Sequence, residues 1–362
     1  MSKARGLADL GNAYNDGALS NRNLIINGAM QVAQRSSSTV SVSNGSNEGY
    51  QTLDRFEFQY GNSAGGVANI SQDTTVPSGY GFSNSYKVDV TTADTSLGTN
   101  HQIYISYRVE AQDIRNSGWN YTDPSSFITC SFWARSVKEG TYCFALRAND
   151  SASTRIFVKE FDLVADTWKK VIITIPGEAE LAFNNDNGIG ATLTWSLQAE
   201  AGRATATDDA WNSADTSLAT SNQVNFYDST SNNFFLTGVQ LELGDTATPF
   251  EHRSYGDELA KCQRYYQLPD RFYYGFCVST TDMAVNFEPS VPFRASPTAS
   301  LTTTSPTGEV PWLAALTGSS STINSTHMRP DGGDIRITGF SGLTQYQQAS
   351  IYGKMIEFDA EL

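Results

Sequence analysis

The sequence predicts an all-β chain, and three observations carry that reading. Aromatic residues make up 12% of the 362 residues and charged residues only 17%. Aromatic side chains suit a pleated, half-buried surface, and few charges leave little material for solvated helix faces. Segments that alternate apolar and polar residues recur along the chain, separated by clusters of Gly, Asn, Asp and Ser. No helical stretch interrupts them before residue 254. Strands at such intervals indicate a sandwich or barrel. The length admits two domains, or one large β domain with an appendage.

Residues 1–22 hold "SKARGLADLGNAY", a short amphipathic piece ended by glycines and a turn-rich run. It is too short to be a stable isolated helix, so it either frays or docks onto another protein. The β pattern begins at "NLIINGAMQVAQRSSS", where Leu24, Ile25, Ile26 and Met30 surround an Asn27-Gly28 turn signal. "HQIYISYRVE" sets Ile103, Ile105, Tyr107 and Val109 against Tyr104, Ser106, Arg108 and Glu110. "FITCSFWARS" sets Ile128, Cys130, Phe132 and Ala134 against Thr129, Ser131, Trp133 and Arg135. "TYCFALRAN" sets Tyr142, Phe144 and Leu146 against Cys143, Ala145 and Arg147. "FFLTGVQLELG" is apolar on both faces and predicts a central strand.

"SYGDELAKCQRYYQL", residues 254–268, is the one convincing helix, with Ser254 or Asp257 as cap and Pro269 as its stop. Leu259, Cys262 and Tyr266 recur at i, i+3 and i+7. That stripe either packs on its own domain or meets symmetry mates in an oligomer. From residue 270 a smaller β domain follows in "FYYGFCV", "MAVNFEPSVPF", "DIRITGF" and "SIYGKMIEFDAEL", with an exposed loop expected between Pro306 and Pro330. The organisation expected is therefore 1–22, a β domain over 23–252, a linker helix over 253–269 and a β tip over 270–362.

Several function classes fall away. A net charge of −14 without a Lys/Arg cluster repels phosphate backbones, so nucleic-acid binding is not expected. No apolar run approaches the ~20 residues a membrane helix needs. "MSKARGLADLG" lacks the apolar region of an export signal. Cys130, Cys143, Cys262 and Cys277 are widely spaced with no C-x-x-C pair, which argues against a compact zinc site. Cys130 and Cys143 flank a hairpin that a disulfide could cross, but without an export signal buried free thiols are expected. His101, His252 and His327 stand apart from any catalytic pattern. "DGGD" at 331–334 could hold a cation but reads as a turn. No enzyme, cofactor or metal is expected.

What remains is surface recognition. If the Ile128 and Ile103 faces are core, then Trp133 with Arg135, and Tyr104 with Arg108, project outward. Flat aromatic faces stack on sugar rings and arginine supplies directed hydrogen bonds. Trp119 and Tyr121 in the loop "NSGWNYTDPSS" are candidates on the same grounds.

A family resemblance sharpens this. "LSNRNLIINGAMQVAQR", "YQTLDRFEF", "KVDVTTADTSLG", "ITCSFWARS", "KKVIITIPG", "FFLTGVQLELGDTATPFEHRSYGDELAKCQRYYQ" and "IEFDAEL" resemble segments of tailed-bacteriophage tail-fibre or receptor-binding virion proteins. The resemblance runs through nearly the whole chain. It implies a jelly-roll β-sandwich like those of carbohydrate-binding modules, then a β tip, assembled as a homotrimer. It implies a non-enzymatic virion protein of the tail, made in the bacterial host cytoplasm, that recognises host-cell surface glycan. Residues 1–22 would then attach it to other tail or baseplate proteins. A head fibre or capsid decoration protein, or a polysaccharide depolymerase, are the alternatives. Such modules often hold a structural Ca²⁺ with acidic residues after the first Asn-Gly and in the last strand. Here Ala29 and "TGVQLELG" occupy those places.

Overall fold

The computed structural model describes residues 22–61, 65–96, 98–309 and 316–362. The expected attachment segment therefore lies, except for Arg22, outside the described residues, as does part of the loop expected between Pro306 and Pro330. The chain divides into two compact units after Glu258.

In the first unit the alternating segments become β1 (Val40–Ser43), β2 (Phe56–Gly61), β3 (Val67–Asp73), β4 (Ser85–Thr92), β5 (Gln102–Glu110), β6 (Phe127–Ser136), β7 (Gly140–Ala148), β8 (Arg155–Leu163), β9 (Lys169–Pro176), β10 (Ile189–Ala199), β11 (Ala210–Asn212) and β12 (Asn233–Leu243). They form two antiparallel six-stranded sheets, ordered β1-β3-β4-β12-β6-β9 and β11-β8-β7-β10-β5-β2. The all-β sandwich is thus as the sequence predicts, and the doubly apolar β12 is an interior strand of its sheet.

The core forms where the inward halves of the strands meet. Ile103, Ile105, Tyr107 and Val109 of β5 lie in one buried cluster with Ile128, Cys130, Phe132 and Ala134 of β6 and Tyr142, Phe144 and Leu146 of β7. Trp195 is its centre, edge-on to Phe132 at 5.7 Å and to Phe144 at 5.6 Å, an arrangement the ring quadrupoles favour. One expectation fails here. A short helix, α1 (Ala111–Arg115), follows β5, because its two inward residues, Ala111 and Ile114, are too few to show a helical period.

The Asn27-Gly28 signal has a tertiary explanation. Val239 N–H donates to Gly28 O at 2.9 Å, and Leu24 N–H donates to Leu241 O at 2.9 Å. A Cβ on Gly28 would stand 2.1 Å from Val239 O, so only glycine lets this segment lie against the bulge of β12. Asn27 takes φ +62°, and its side chain donates to the carbonyls of Val32 and Asp54.

Helix α2 (Tyr255–Gln263) is shorter than the expected 254–268. Ser254 Oγ accepts from Asp257 N–H at 3.2 Å and donates to the Asp257 carboxylate at 2.6 Å, which caps the start. The chain leaves the helix before Pro269, since Tyr266 enters a strand and cross-strand pairing outweighs local propensity. Tyr266 and Cys262 are both buried within the chain and Leu259 is half-buried. The three residues therefore do not form one continuous helical stripe open to a symmetry mate.

The second unit contains β13 (Tyr266–Gln267), β14 (Arg271–Cys277), β15 (Asp282–Phe287), β16 (Thr298–Leu301), β17 (Thr307–Glu309), β18 (Leu316–Thr317), β19 (Thr322–Arg329), β20 (Gly332–Thr338), β21 (Gln348–Gly353) and β22 (Ile356–Asp359). They make a three-stranded sheet, β13-β22-β16, and a seven-stranded sheet, β18-β17-β21-β14-β15-β20-β19. Phe287 stacks on Phe358 at 3.7 Å within its own core. "DGGD" spans the tight β19–β20 turn, where Gly332 takes φ +130° and Asp334 pairs with His327 at 3.1 Å. All four cysteines are buried and none forms a disulfide. Cys130 faces the core from one sheet while Cys143 lies on the outer face of the other.

Candidate functional site: a groove on the outer face of one sheet

The register of β2, β5, β10 and β7 stacks outward side chains into cross-strand rows. Glu57, Ser106, Thr194 and Ala145 form one row across the four strands. Arg108, Thr192 and Arg147 form the next towards one end, and Tyr104 pairs with Ser196 towards the other. Small side chains in the middle row make a floor, and longer ones on either side make walls.

The segment from residue 200 to 222 completes the shape. Ala204, Ala206, Leu218 and Ala219 cover Cys143, Ala145, Ile156 and Val158 in a separate small apolar cluster on the outer face. This flap is tied down by a bridge between Ala204 and Ser217 and by Leu218 N–H donating to Arg203 O at 3.2 Å. It brings Arg203, Asp215 and Leu218 to the rim. The result is a groove of about 460 Å³ lined by β2, β5, β7, β10 and the flap. That volume lies within the range of small-ligand sites.

Its polar groups are mostly held in place. Arg108 reaches the Glu57 carboxylate at 2.9 Å, and Glu57 is almost wholly buried. Ser106 Oγ also donates to Glu57. Arg147 holds Asp215 at 2.7 Å, and Thr192 Oγ1 donates to Asn149 Oδ1 at 3.0 Å. The Tyr104 phenol is held above its ordinary pKa, first by burial and then by the nearby Glu57 carboxylate, against the opposing pull of Arg108 and Arg203. At neutral pH it is a neutral hydroxyl that both donates and accepts.

Of the six residues expected on glycan, the structure brings together Tyr104 and Arg108. Trp133 and Arg135 lie on the outer face of the opposite sheet, beyond reach of this groove. There the Tyr80 ring stands 4.3 Å from Trp133, and Arg135 pairs with Asp166 at 2.7 Å and lies 5.1 Å over Phe235. The expectation for Trp119 is corrected. It is 3% exposed, its Nε1–H donates to Ser126 O at 3.2 Å, and Phe183 and Tyr121 pack around it. A ring with both faces in protein cannot stack on sugar. Tyr121 is half-buried, edge-on to Phe183 at 5.0 Å, with its hydroxyl accepting from Arg115.

Sequence reasoning missed Glu57, Thr192, Thr194, Arg203 and Asp215. The alternation of "ATLTWSLQA" carries a signal for Thr192 and Thr194, opposite Leu193, Trp195 and Leu197. Nothing local marks Arg203 or Asp215, which reach the groove only through the fold of the flap. The second unit carries another unanticipated feature. Phe272, Tyr274 and Phe276 project from β14 with exposures of 50, 69 and 48%, and the first two stack at 5.9 Å.

A structural cation is supplied by the chain itself at the corner where the amino-terminal segment meets β12. Arg253 donates to the carbonyls of Asn23 and Ile25 and lies 3.5 Å from both Glu251 and Glu258. Among the described residues no group of three or more His, Cys, Asp or Glu side chains is placed to hold a metal ion. No helix among them is long and apolar enough to cross a membrane.

No protein-family model matches the chain, and no curated protein matches it. Solved structures do. One is the enzymatically active domain of tailspike protein 4 from bacteriophage CBA120, at 11% identity and a TM-score of 0.33, covering 62% of this chain and 22% of that one. Another is described as a putative sugar binding protein from Bacteroides thetaiotaomicron, at 12% identity and a TM-score of 0.33, covering 61% and 100%. A third is the module TmCBM61 in complex with β-1,4-galactotriose, at 12% identity and a TM-score of 0.28, covering 62% and 100%.

Proposed function

We propose that this chain is a glycan-binding protein of a tailed-bacteriophage virion that holds a host surface saccharide in the groove between Tyr104 and Arg147 without cleaving it. The observation that carries the binding reading is the groove itself. A half-buried tyrosine, a floor of serine, threonine and alanine, and arginines fixed by carboxylates form a concave site with converging polar groups. Tyrosine offers a ring face to apolar C–H groups, and the fixed arginines donate to hydroxyls without a large ordering cost. Both carboxylates of the groove, Glu57 and Asp215, are engaged by guanidinium groups. Glycoside cleavage uses a pair of free carboxyl groups flanking the bond, and arginine engages both carboxylates here, so binding alone is the better fit.

The virion placement rests on the sequence resemblance described above. The same reading makes residues 1–22 the segment that joins tail or baseplate proteins, and it makes the assembly a homotrimer. Pull-down of bacterial surface polysaccharide by the full-length protein, with Tyr104→Ala as control, tests the binding reading. Binding by the wild type that the variant loses supports it, and equal binding by both overturns the groove assignment. Release of reducing ends on incubation would replace it with a depolymerase. Immunogold labelling of particles tests placement: gold at the tail supports it, and gold at capsid vertices assigns the chain to a head fibre or decoration protein.

A further inference from the structure

We infer that the saccharide held in this groove carries a carboxylate, and that Arg203 is the residue that selects it. The inference rests on the glycan reading above. Three arginines line the groove, Arg108, Arg147 and Arg203, against two carboxylates, Glu57 and Asp215. Arg108 takes Glu57 and Arg147 takes Asp215. Arg203 is left over: among the described residues its guanidinium has no carboxylate partner, and its Nε is buried without a hydrogen-bond acceptor.

A buried N–H without an acceptor forfeits the hydrogen bond it had in water, which is costly unless a ligand restores it. The backbone of Arg203 is pinned on both sides. Its N–H donates to Glu200 O, and its carbonyl accepts from Leu218 N–H. The side chain therefore starts from a fixed point beside Tyr104, whose phenol feels its charge. Gln102 Oε1, also lining the groove, is a second buried group with no partner, and it is an acceptor. A cation without a carboxylate partner and an unpartnered acceptor lining the same groove match a sugar that presents a carboxylate and a hydroxyl, as a uronic or sialic acid does. The planar fork of arginine suits a carboxylate in two-point contact. Glu48 also acts on the Tyr104 phenol and the chain carries a net charge of −14, so Arg203 recruits an anion only at short range.

The test uses the full-length protein and a panel of uronate- or sialate-containing bacterial polysaccharides, each native and carboxyl-reduced. Native members are expected to bind about tenfold or more tightly than their reduced forms, the size of one charge-assisted contact. Raising salt should shrink that gap. Arg203→Gln is expected to abolish the preference while keeping residual binding, and Arg203→Lys to restore part of it. Equal binding of native and reduced forms, or a preference that survives Arg203→Gln, overturns the carboxylate assignment. So does binding confined to phosphate-bearing polysaccharides that carboxyl reduction leaves unchanged. In each of these cases loss of binding in Tyr104→Ala leaves the glycan reading standing. If the wild-type protein binds no member of the panel in either form, the carboxylate assignment falls, and the glycan reading stands or falls by the pull-down described above.

Discussion

The two outer faces of the sandwich begin from the same sequence device and end differently. Alternation turns an aromatic ring and an arginine outward from β5, as Tyr104 and Arg108, and again from β6, as Trp133 and Arg135. Over β6 the chain covers its own residues: Tyr80 lies against Trp133, and Asp166 takes Arg135. Over β5 the flap from residue 200 to 222 covers the neighbouring apolar patch on β7, β8 and the end of β10 and stops at the rim. An outward aromatic is left available to a partner only where no loop of its own chain has already taken its face. The aromatic row on β14, Phe272, Tyr274 and Phe276, is open in the same sense.

The largest change expected removes what both faces share. Phe132 is fully buried between the sheets, touching Trp195, Phe144 and Phe161. Phe132→Ala should destabilise the first unit by about 3–5 kcal/mol, the cost of a deleted core ring and its cavity. Chemical denaturation followed by tryptophan fluorescence measures it, and a loss below about 1 kcal/mol would contradict this account of the core.

Alkaline pH separates the two units. In the first, burial pushes Tyr60 up to about 12 and Cys143 up to about 11, and moves Tyr86, Tyr142, Tyr227 and Cys130 upward as well. In the second, Tyr273 and Cys277 are raised. A phenol or thiol with a raised folded-state pKa contributes stability that is intact below its unfolded value and lost as pH rises through its folded value. Stability of the first unit should therefore hold to about pH 9 and fall steeply from there. Its thermal transition should drop more than that of the second unit, and calorimetry from neutral to about pH 11 reads the difference. Parallel decline of both transitions would refute the assignment.

Tyr104→Ala against Trp133→Ala sharpens the contrast between the faces directly. The first should weaken glycan binding by about tenfold or more, as loss of a central aromatic contact does. The second should leave binding unchanged within about twofold. Equal losses would mean that the opposite sheet also binds. The smallest effect expected is on stability. Arg135→Ala removes an ion pair whose Asp166 is 60% exposed, worth about 0.2–1 kcal/mol, and a shift in denaturation midpoint larger than that would show the β6 face to be more than a surface pair.

The sequence by itself determined the strands and their two sides, because a period of two is a local property of the backbone. Ile103, Ile128 and Tyr142 are inward and Tyr104, Trp133 and Arg147 outward, as their alternation requires. The doubly apolar pattern of β12 likewise told of neighbours on both sides. Local pattern also contained the cap at Ser254, though not the end of α2, where pairing of Tyr266 with Asp359 draws the chain into a sheet. The tertiary structure alone decided which outward residues meet. Glu57, Arg108, Arg147 and the flap pair Arg203 and Asp215 come from four separate stretches of chain, and the register that aligns them and the flap that closes them are long-range pairings. It also decided that the Trp119 ring is core and not surface, since loop residues have no period from which a side can be read. Burial of a strand residue follows from its neighbours in sequence, whereas exposure of an outward ring depends on where a distant loop comes to rest.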